Sequence, residues 1–119
     1  MSNRRTHLDY LEDILESVAD IKSFTTRMDY ESFSTDKKTI HAVVRCLEII
    51  GEAVKKIPKP IRTQHPDIPW IEIAGMRNKL IHEYFGVDLE IIWITIHEDL
   101  DSLEKAVRMI TNKSNSEHK

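Results

Sequence analysis

The sequence contains a single cysteine, Cys46, which excludes an internal disulfide and a structural zinc site built on several thiolates. Glycine and proline are scarce, with 3 and 4 among 119 residues, which excludes collagen-like and low-complexity proteins. The chain has no apolar run long enough to span a bilayer, and Met1 is not followed by a signal-peptide pattern. We therefore expect one cytoplasmic domain that does not enter a membrane.

Strong charge of either sign is also absent. Lys and Arg total 17 and Asp and Glu total 20, so the formal net charge is −3. A protein that holds nucleic acid by general electrostatic attraction is usually more basic, so only a local contact is expected. One basic cluster could supply it: Lys55, Lys56, Lys59 and Arg62. Lysines near a helix C-terminus are favourable for the helix dipole alone, so both interpretations stay open.

Patterns for metals and nucleotides are missing as well. The six histidines include no pair at helical ligand spacing, and no glycine-rich phosphate loop is present. The carboxylates fall on what the spacing predicts to be solvated helix faces. We expect no metal and no cofactor.

What the sequence does contain is apolar residues at three- and four-residue spacing in four segments, which predicts an all-α antiparallel bundle of four main helices. The first helix spans about residues 4–24 and carries two apolar stripes, so it should contact two neighbours. The second follows an N-cap at Ser34 or Thr35 and continues to about Ile57. Residues 25–33 between them break the pattern.

Four prolines punctuate the connector that follows, which should be irregular for most of its length. The third helix starts near Pro69 and ends near Gly86. The fourth is capped by Asp88 and keeps its apolar spacing to Ile110. We place the domain at residues 1–112 and a polar, disordered tail at 113–119.

The start of the fourth helix is more apolar than one packing face requires. Ile91, Ile92 and Ile94 add surface that would mark a partner interface if exposed, which favours a homodimer. The alternative is a helix buried on two sides within its own bundle.

An arginine lies where an apolar residue is expected in the third helix. Ile73, Leu80 and Tyr84 recur at helical spacing, and Arg77 falls on the same stripe. A guanidinium keeps its charge, so Arg77 needs a partner carboxylate, a route to solvent or an anionic ligand. His82 is the type of side chain best suited to move protons near neutral pH. A permanent cation beside a titratable imidazole is the minimum equipment for chemistry on a phosphodiester.

These residues do not share one face of a straight helix. Arg77 and Tyr84 lie about 20° apart, whereas His82 lies roughly 140° from Arg77. Asn78, one turn before His82, is the better candidate to orient its ring. Arg77 and His82 converge on one phosphate only if the last turn unwinds before Gly86, or if a two-fold axis joins two copies of the chain.

Each of these residues also has a structural explanation. Arg77 could pair with Glu48 or Glu52 of the second helix, and His82 could simply be a favourable partner for the helix dipole. Tyr84 could be a core aromatic with its hydroxyl at the surface. Periodicity alone therefore predicts a four-helix bundle with an unexplained arginine.

Longer stretches around these residues resemble the HepT-like branch of the HEPN superfamily. The matching stretches are residues 42–53, which read AVVRCLEIIGEA, residues 68–70, which read IPW, and residues 73–88, which read IAGMRNKLIHEYFGVD. The resemblance implies a HEPN-type antiparallel bundle that dimerises through helical faces.

The resemblance also implies a function. Members of this branch are metal-independent ribonuclease toxins, encoded beside a minimal nucleotidyltransferase (MNT) antitoxin. The motif arginine and histidine, here Arg77 and His82, carry out the cleavage. The motif tyrosine, here Tyr84, is the position that the partner adenylylates to silence the toxin. Such a toxin has RNA, the antitoxin and a second copy of itself as partners, and no membrane.

The second helix offers supporting residues. Arg45 and Glu48 are candidates to hold Arg77 or the phosphate. Cys46 stands where the resemblance leads us to expect an asparagine.

Two other functions are compatible with the sequence. One is a non-catalytic helical dimer that binds, and is modified by, a nucleotidyltransferase. The other is a purely structural dimer in which Arg77 is a buried ion-pair residue.

Overall fold

The computed structural model describes residues 6–75 and 89–117, with side chains described as far as residue 112. Within these ranges all regular structure is helical, which confirms the all-α class. None of the described helices is both long and apolar enough to cross a membrane. The helices are α1 His7–Phe24, α2 Tyr30–Thr35, α3 Lys37–Lys56, α4 Lys59–Thr63, α5 at residues 70–75, α6 Leu89–Glu98 and α7 Leu100–Glu117.

Helix α1 lies at the centre of the packing. It contacts both α3 and α7, as the sequence predicts for a helix with two apolar stripes. Its buried apolar residues are Leu11, Ile14, Val18 and Ile21. Phe24, which continues the helical spacing of Ile14 and Ile21 and is therefore expected beside them, is 41% exposed instead. The buried face combines Leu11 and Val18 of one predicted stripe with Ile14 and Ile21 of the other, because neighbouring helices cover α1 from both sides.

Helix α3 supplies the other half of the core. Val43, Leu47, Ile50 and Val54 are at most 2% exposed, which confirms the apolar seam predicted for the second helix. Each buried aliphatic side chain of this kind contributes about 1.5–3 kcal/mol relative to an exposed one. The seam lies where α3 packs against α1.

The N-cap of α3 is Asp36, so the prediction of Ser34 or Thr35 is wrong. The Asp36 carboxylate accepts hydrogen bonds from the Thr39 N–H at 3.1 Å and the Thr39 hydroxyl at 2.9 Å. These bonds hold the pKa of Asp36 below its usual value. Thr35 is instead the last residue of α2, a helix that the apolar spacing does not reveal because it is only six residues long.

Helix α2 brings Phe33 into the core. Asp29 caps this helix by accepting the Ser32 N–H at 2.8 Å, and the Asp29 N–H donates back to the Ser32 hydroxyl. Phe33 is completely buried, with its ring centroid 5.2 Å from that of Trp93 in α6. The stretch predicted to break the helical pattern therefore joins α3 to α6.

The last predicted helix is divided in two at Asp99, between α6 and α7. The interruption is local, because Asp99 N–H still donates to Thr95 O and Asp99 O still accepts from Leu103 N–H. The backbone of α7 continues to Glu117, beyond the last apolar residue of the predicted pattern, Ile110. The domain boundary at residue 112 stays a prediction.

A charged network joins α1 to α7. Lys22 Nζ lies 2.6 Å from Asp101 Oδ1 and 2.8 Å from Glu104 Oε1. Arg108 Nη2 donates to Glu104 Oε2 at 3.1 Å. The hydrogen bond from Lys22, with a smaller contribution from Arg108, lowers the pKa of Glu104 against the opposing effect of burial.

We expect Glu104→Gln to lower the free energy of unfolding by about 0.5–1 kcal/mol near neutral pH, a value typical of surface ion pairs. Because folding lowers the pKa of Glu104, this stabilisation is present above its usual value of 4.5 and disappears as the pH falls through the folded-state value. Urea titrations at several pH values measure the gap between wild type and variant. Glu12→Gln, at an exposed position of α1, is the control and should leave stability unchanged. A gap that is unchanged in strong acid would contradict this role of Glu104.

Candidate functional site

The motif residues lie outside the described residues. Arg77, Asn78, His82 and Tyr84 all fall between residues 76 and 88, so their predicted roles and mutual geometry stay predictions. The structure does describe the two helical segments that flank this stretch, and it describes the face of α3 that carries Arg45 and Glu48.

Helix α5 leads into the motif and is anchored at its first turn. Trp70 is 6% exposed, and its indole Nε1 donates to His65 O at 2.9 Å. Ile73 is 5% exposed, and its N–H donates to Pro69 O at 3.0 Å. Ile73 belongs to the apolar stripe that, by sequence spacing, also includes Arg77. The start near Pro69 predicted for the third helix is confirmed.

Helix α6 follows the motif, and aromatic contacts hold it in place. The Trp93 ring lies 6.3 Å from the Tyr30 ring and 4.2 Å from the His97 ring, centroid to centroid, in addition to its contact with Phe33. The ring nitrogen Nδ1 of His97 lies 2.8 Å from Trp93 O and donates a hydrogen bond to it in the tautomer that is protonated on Nδ1. Helix α6 is therefore fixed to α2 at the point where the chain leaves the motif.

The apolar surface of α6 divides between core and solvent. Ile92 and Ile96 are buried, whereas Ile91 is 60% exposed and Ile94 is 44% exposed. Ile91 and Ile94 are three residues apart and share one helix face. Of the three isoleucines predicted to mark a partner interface, two are thus available to a partner and one belongs to the core.

Arg45 and Glu48 come together on the outer face of α3. Arg45 Nη1 lies 4.0 Å from Glu48 Oε2, and the Arg45 side chain is 68% exposed. An exposed pair at this distance contributes little to stability, so both groups can rearrange toward another partner at small cost. Their proposed support of Arg77 stays a prediction.

Cys46, next to Arg45, points into the core rather than toward this face. It is 6% exposed, and burial, followed by the nearby Asp20 charge, raises the pKa of its thiol to about 11. The thiol is therefore protonated at neutral pH and is a poor nucleophile. Where the resemblance leads us to expect an asparagine, this chain has a small apolar core residue.

The described residues contain no group of three or more histidine, cysteine, aspartate or glutamate side chains placed to hold a metal ion. Sequence reasoning assigned no role to Tyr30 or Phe33, although both contact the helix that follows the motif. The sequence feature that could have indicated them is the Asp29–Ser32 capping pair directly before Phe33. Such a pair predicts the start of a helix even where the helix is too short for apolar spacing to reveal it.

Comparison with known proteins identifies the family. The pattern of the family described as "Ribonuclease HepT-like" matches residues 14–110. A protein of Thermococcus cleftensis named "Probable ribonuclease HepT" is 54% identical over 101 residues, covering 85% of this chain and 92% of its own length. No solved structure matches the chain.

Two further relatives agree with this match. One from Methanocaldococcus jannaschii, named "Putative RNase", is 54% identical over 85% of this chain and 84% of its own length. Another from Caldanaerobacter subterraneus subsp. tengcongensis, with the same description, is 49% identical over 92% of this chain and 97% of its own length. The resemblance seen in residues 42–53 and 73–88 thus extends over almost the whole chain, and the all-α bundle agrees with a HEPN fold. The chain belongs to the HepT-like ribonuclease family.

Proposed function

We propose that this chain is a metal-independent endoribonuclease that acts as the toxin of a HEPN/MNT toxin–antitoxin system. The observation that carries the proposal is the family match over residues 14–110, because it spans Arg77, His82 and Tyr84 at the spacing of the motif. The relatives named as ribonucleases support RNA as the substrate.

The chemistry follows from the residue types. In RNA cleavage without a metal, the 2′-hydroxyl attacks the adjacent phosphorus and the bond to the 5′-oxygen breaks. A 2′,3′-cyclic phosphate and a 5′-hydroxyl result. One proton leaves the 2′-oxygen and one reaches the 5′-oxygen, and His82 is suited to transfer protons in this step. Arg77 stabilises the additional negative charge on the phosphoryl oxygens.

A homodimer would solve the geometric problem posed by Arg77 and His82. On one straight helix the two side chains would point in different directions, but a two-fold axis can bring the arginine of one copy near the histidine of the other. The exposed Ile91 and Ile94 at the start of α6 support an interface near the motif in sequence.

Tyr84 would be the switch. The partner nucleotidyltransferase would transfer AMP from ATP to the Tyr84 hydroxyl and release pyrophosphate. A bulky anion two residues from His82 would exclude the RNA both by its size and by its charge.

Incubation of the purified chain with the partner and ATP tests this proposal. We expect the wild type to gain one AMP by intact-mass spectrometry and to lose cleavage of a labelled RNA. Tyr84→Phe should gain no AMP and keep its cleavage activity after the same treatment. Tyr30→Phe, which changes an exposed tyrosine of α2, should behave like the wild type. AMP gained by a chain that never cleaves RNA would favour the non-catalytic dimer instead.

A further inference from the structure

Several basic side chains lie in the last turn of α3 and in α4. We define the basic segment as Lys55, Lys59 and Arg62. Lys55 and Lys59 are exposed, and Lys59 and Arg62 share one face of α4. Among the residues described, none of the three has an ion-pair partner, whereas Lys22, Arg45 and Arg108 each face a carboxylate within 4.0 Å. The basic segment therefore presents charge that is not neutralised locally.

The backbone that carries this charge is anchored to the core. Ile57 before α4 is 1% exposed, Ile68 after it is 3% exposed, and Ile61 within it packs against the core. The indole of Trp70 holds His65 O, as described above. Charges on a fixed backbone lose less conformational entropy on binding than charges on a mobile loop.

Arg62 is partly dehydrated. Its Nε is buried and has no hydrogen-bond partner among the described residues, while the residue as a whole keeps part of its surface in solvent. A cation that has already lost part of its hydration attracts a phosphate more strongly than a fully solvated one, because the interaction is less screened. The planar guanidinium also matches phosphate geometry.

An open cavity of about 540 Å³ lies beside the end of α4, lined by Gln64, His65, Met109 and Asn112. Met109 and Asn112 belong to α7, so the cavity lies between the end of α4 and α7. Two amides and an imidazole can hydrogen-bond the edges of unpaired bases, and the 63% exposed Met109 offers apolar contact. Side-chain cations that contact the phosphates, next to groups that contact the bases, are typical of sites that bind single-stranded nucleic acids.

We propose that the basic segment and this cavity together bind single-stranded RNA outside the 77–84 motif, with the basic segment on the phosphates and the cavity on one or two bases. This inference rests on the proposed ribonuclease function and adds a substrate-binding surface to it. A chain of net charge −3 needs such a local attraction to recruit a polyanion. RNA is favoured over an acidic protein partner because the cavity combines mostly apolar surface, against which a base can lie, with the hydrogen-bonding side chains of Gln64, His65 and Asn112.

Fluorescence anisotropy with a short unstructured RNA, measured at several salt concentrations, tests the proposal. All proteins carry His82→Ala to prevent cleavage. We expect K55Q/K59Q/R62Q to bind at least about tenfold more weakly at low salt, and its salt slope to fall by about 2, since each lost single-strand phosphate contact removes about 0.7. Asn112→Ala should weaken binding without changing the slope, because it removes no phosphate contact.

The control is K37Q/K38Q/K105Q, which makes the same charge change at three other exposed positions and should retain the original slope. Thermal melts check that both triple variants fold. Equal salt slopes in the two triple variants would overturn the inference. A basic-segment variant that keeps its RNA affinity and loses binding only to the nucleotidyltransferase partner would overturn it as well. Either result leaves the proposed function standing if the wild type still cleaves RNA. RNA that is neither bound nor cut by any form would overturn both.

Discussion

His82→Ala is expected to reduce RNA cleavage by about 10²–10⁴-fold, the usual contribution of a positioned general acid or base. Arg77→Ala should cost about 10²–10³-fold, because it removes the cation that stabilises charge developing on the phosphoryl oxygens. Expression of the wild type should arrest growth, and both variants should relieve that arrest. Rates on a labelled RNA and growth curves after induction are the two measurements.

The products and the metal requirement sharpen this prediction. Fragments ending in a 2′,3′-cyclic phosphate, formed equally well with and without a chelator, are expected from the wild type. Arg45→Gln is a useful comparison, because this exposed arginine of α3 is proposed only to support the site and should have a smaller effect. Equal toxicity of wild type, Arg77→Ala and His82→Ala would rule out this assignment. Full dependence of cleavage on a metal would rule out the proposed chemistry.

Phe33→Ala is expected to lower the free energy of unfolding by about 3–5 kcal/mol, as for other fully buried aromatic residues. The ring is 0% exposed and packs against Trp93, so alanine would leave a cavity between α2 and α6. The melting temperature should fall by on the order of 10–20 °C. Calorimetry or a urea titration followed by circular dichroism measures the effect.

Phe24→Ala is the matched control for this prediction. The same substitution at a position 41% exposed removes less buried surface, so its cost should be well below that of Phe33→Ala. Phe33→Leu should recover part of the loss, because it keeps most of the apolar volume. Equal destabilisation by Phe24→Ala and Phe33→Ala would show that α2 does not hold α6 in the way described.

Much of the fold could be predicted from the spacing of apolar residues. The long helices α1 and α3 were predicted because each repeats its buried residues over several turns. Helices α2 and α4 have six and five residues, which is too short for a repeat, and they depend on capping groups and on burial against distant segments. The missed N-cap at Asp36 has the same origin, since recognising it requires knowing that Thr35 already belongs to another helix.

The residues of the candidate site were predicted from the sequence by a different kind of signal. Arg77, His82 and Tyr84 stood out by residue type and by resemblance to a family, and the family is confirmed. Their proposed convergence on one phosphate does not follow from spacing, because on a straight helix Arg77 and His82 would point apart. It depends on how a helix end, or a second copy of the chain, is arranged around them.

Amino-acid order thus gave the helical class, the main seams and the residues to test, because helical periodicity and side-chain chemistry are local properties. Burial is not local. Phe24 and Phe33 are chemically identical, and so are Ile91 and Ile92, yet only Phe33 and Ile92 are buried. The difference lies in which helices pack against each position. That packing leaves Ile91 free for a partner and places Phe33 under the helix that follows the motif.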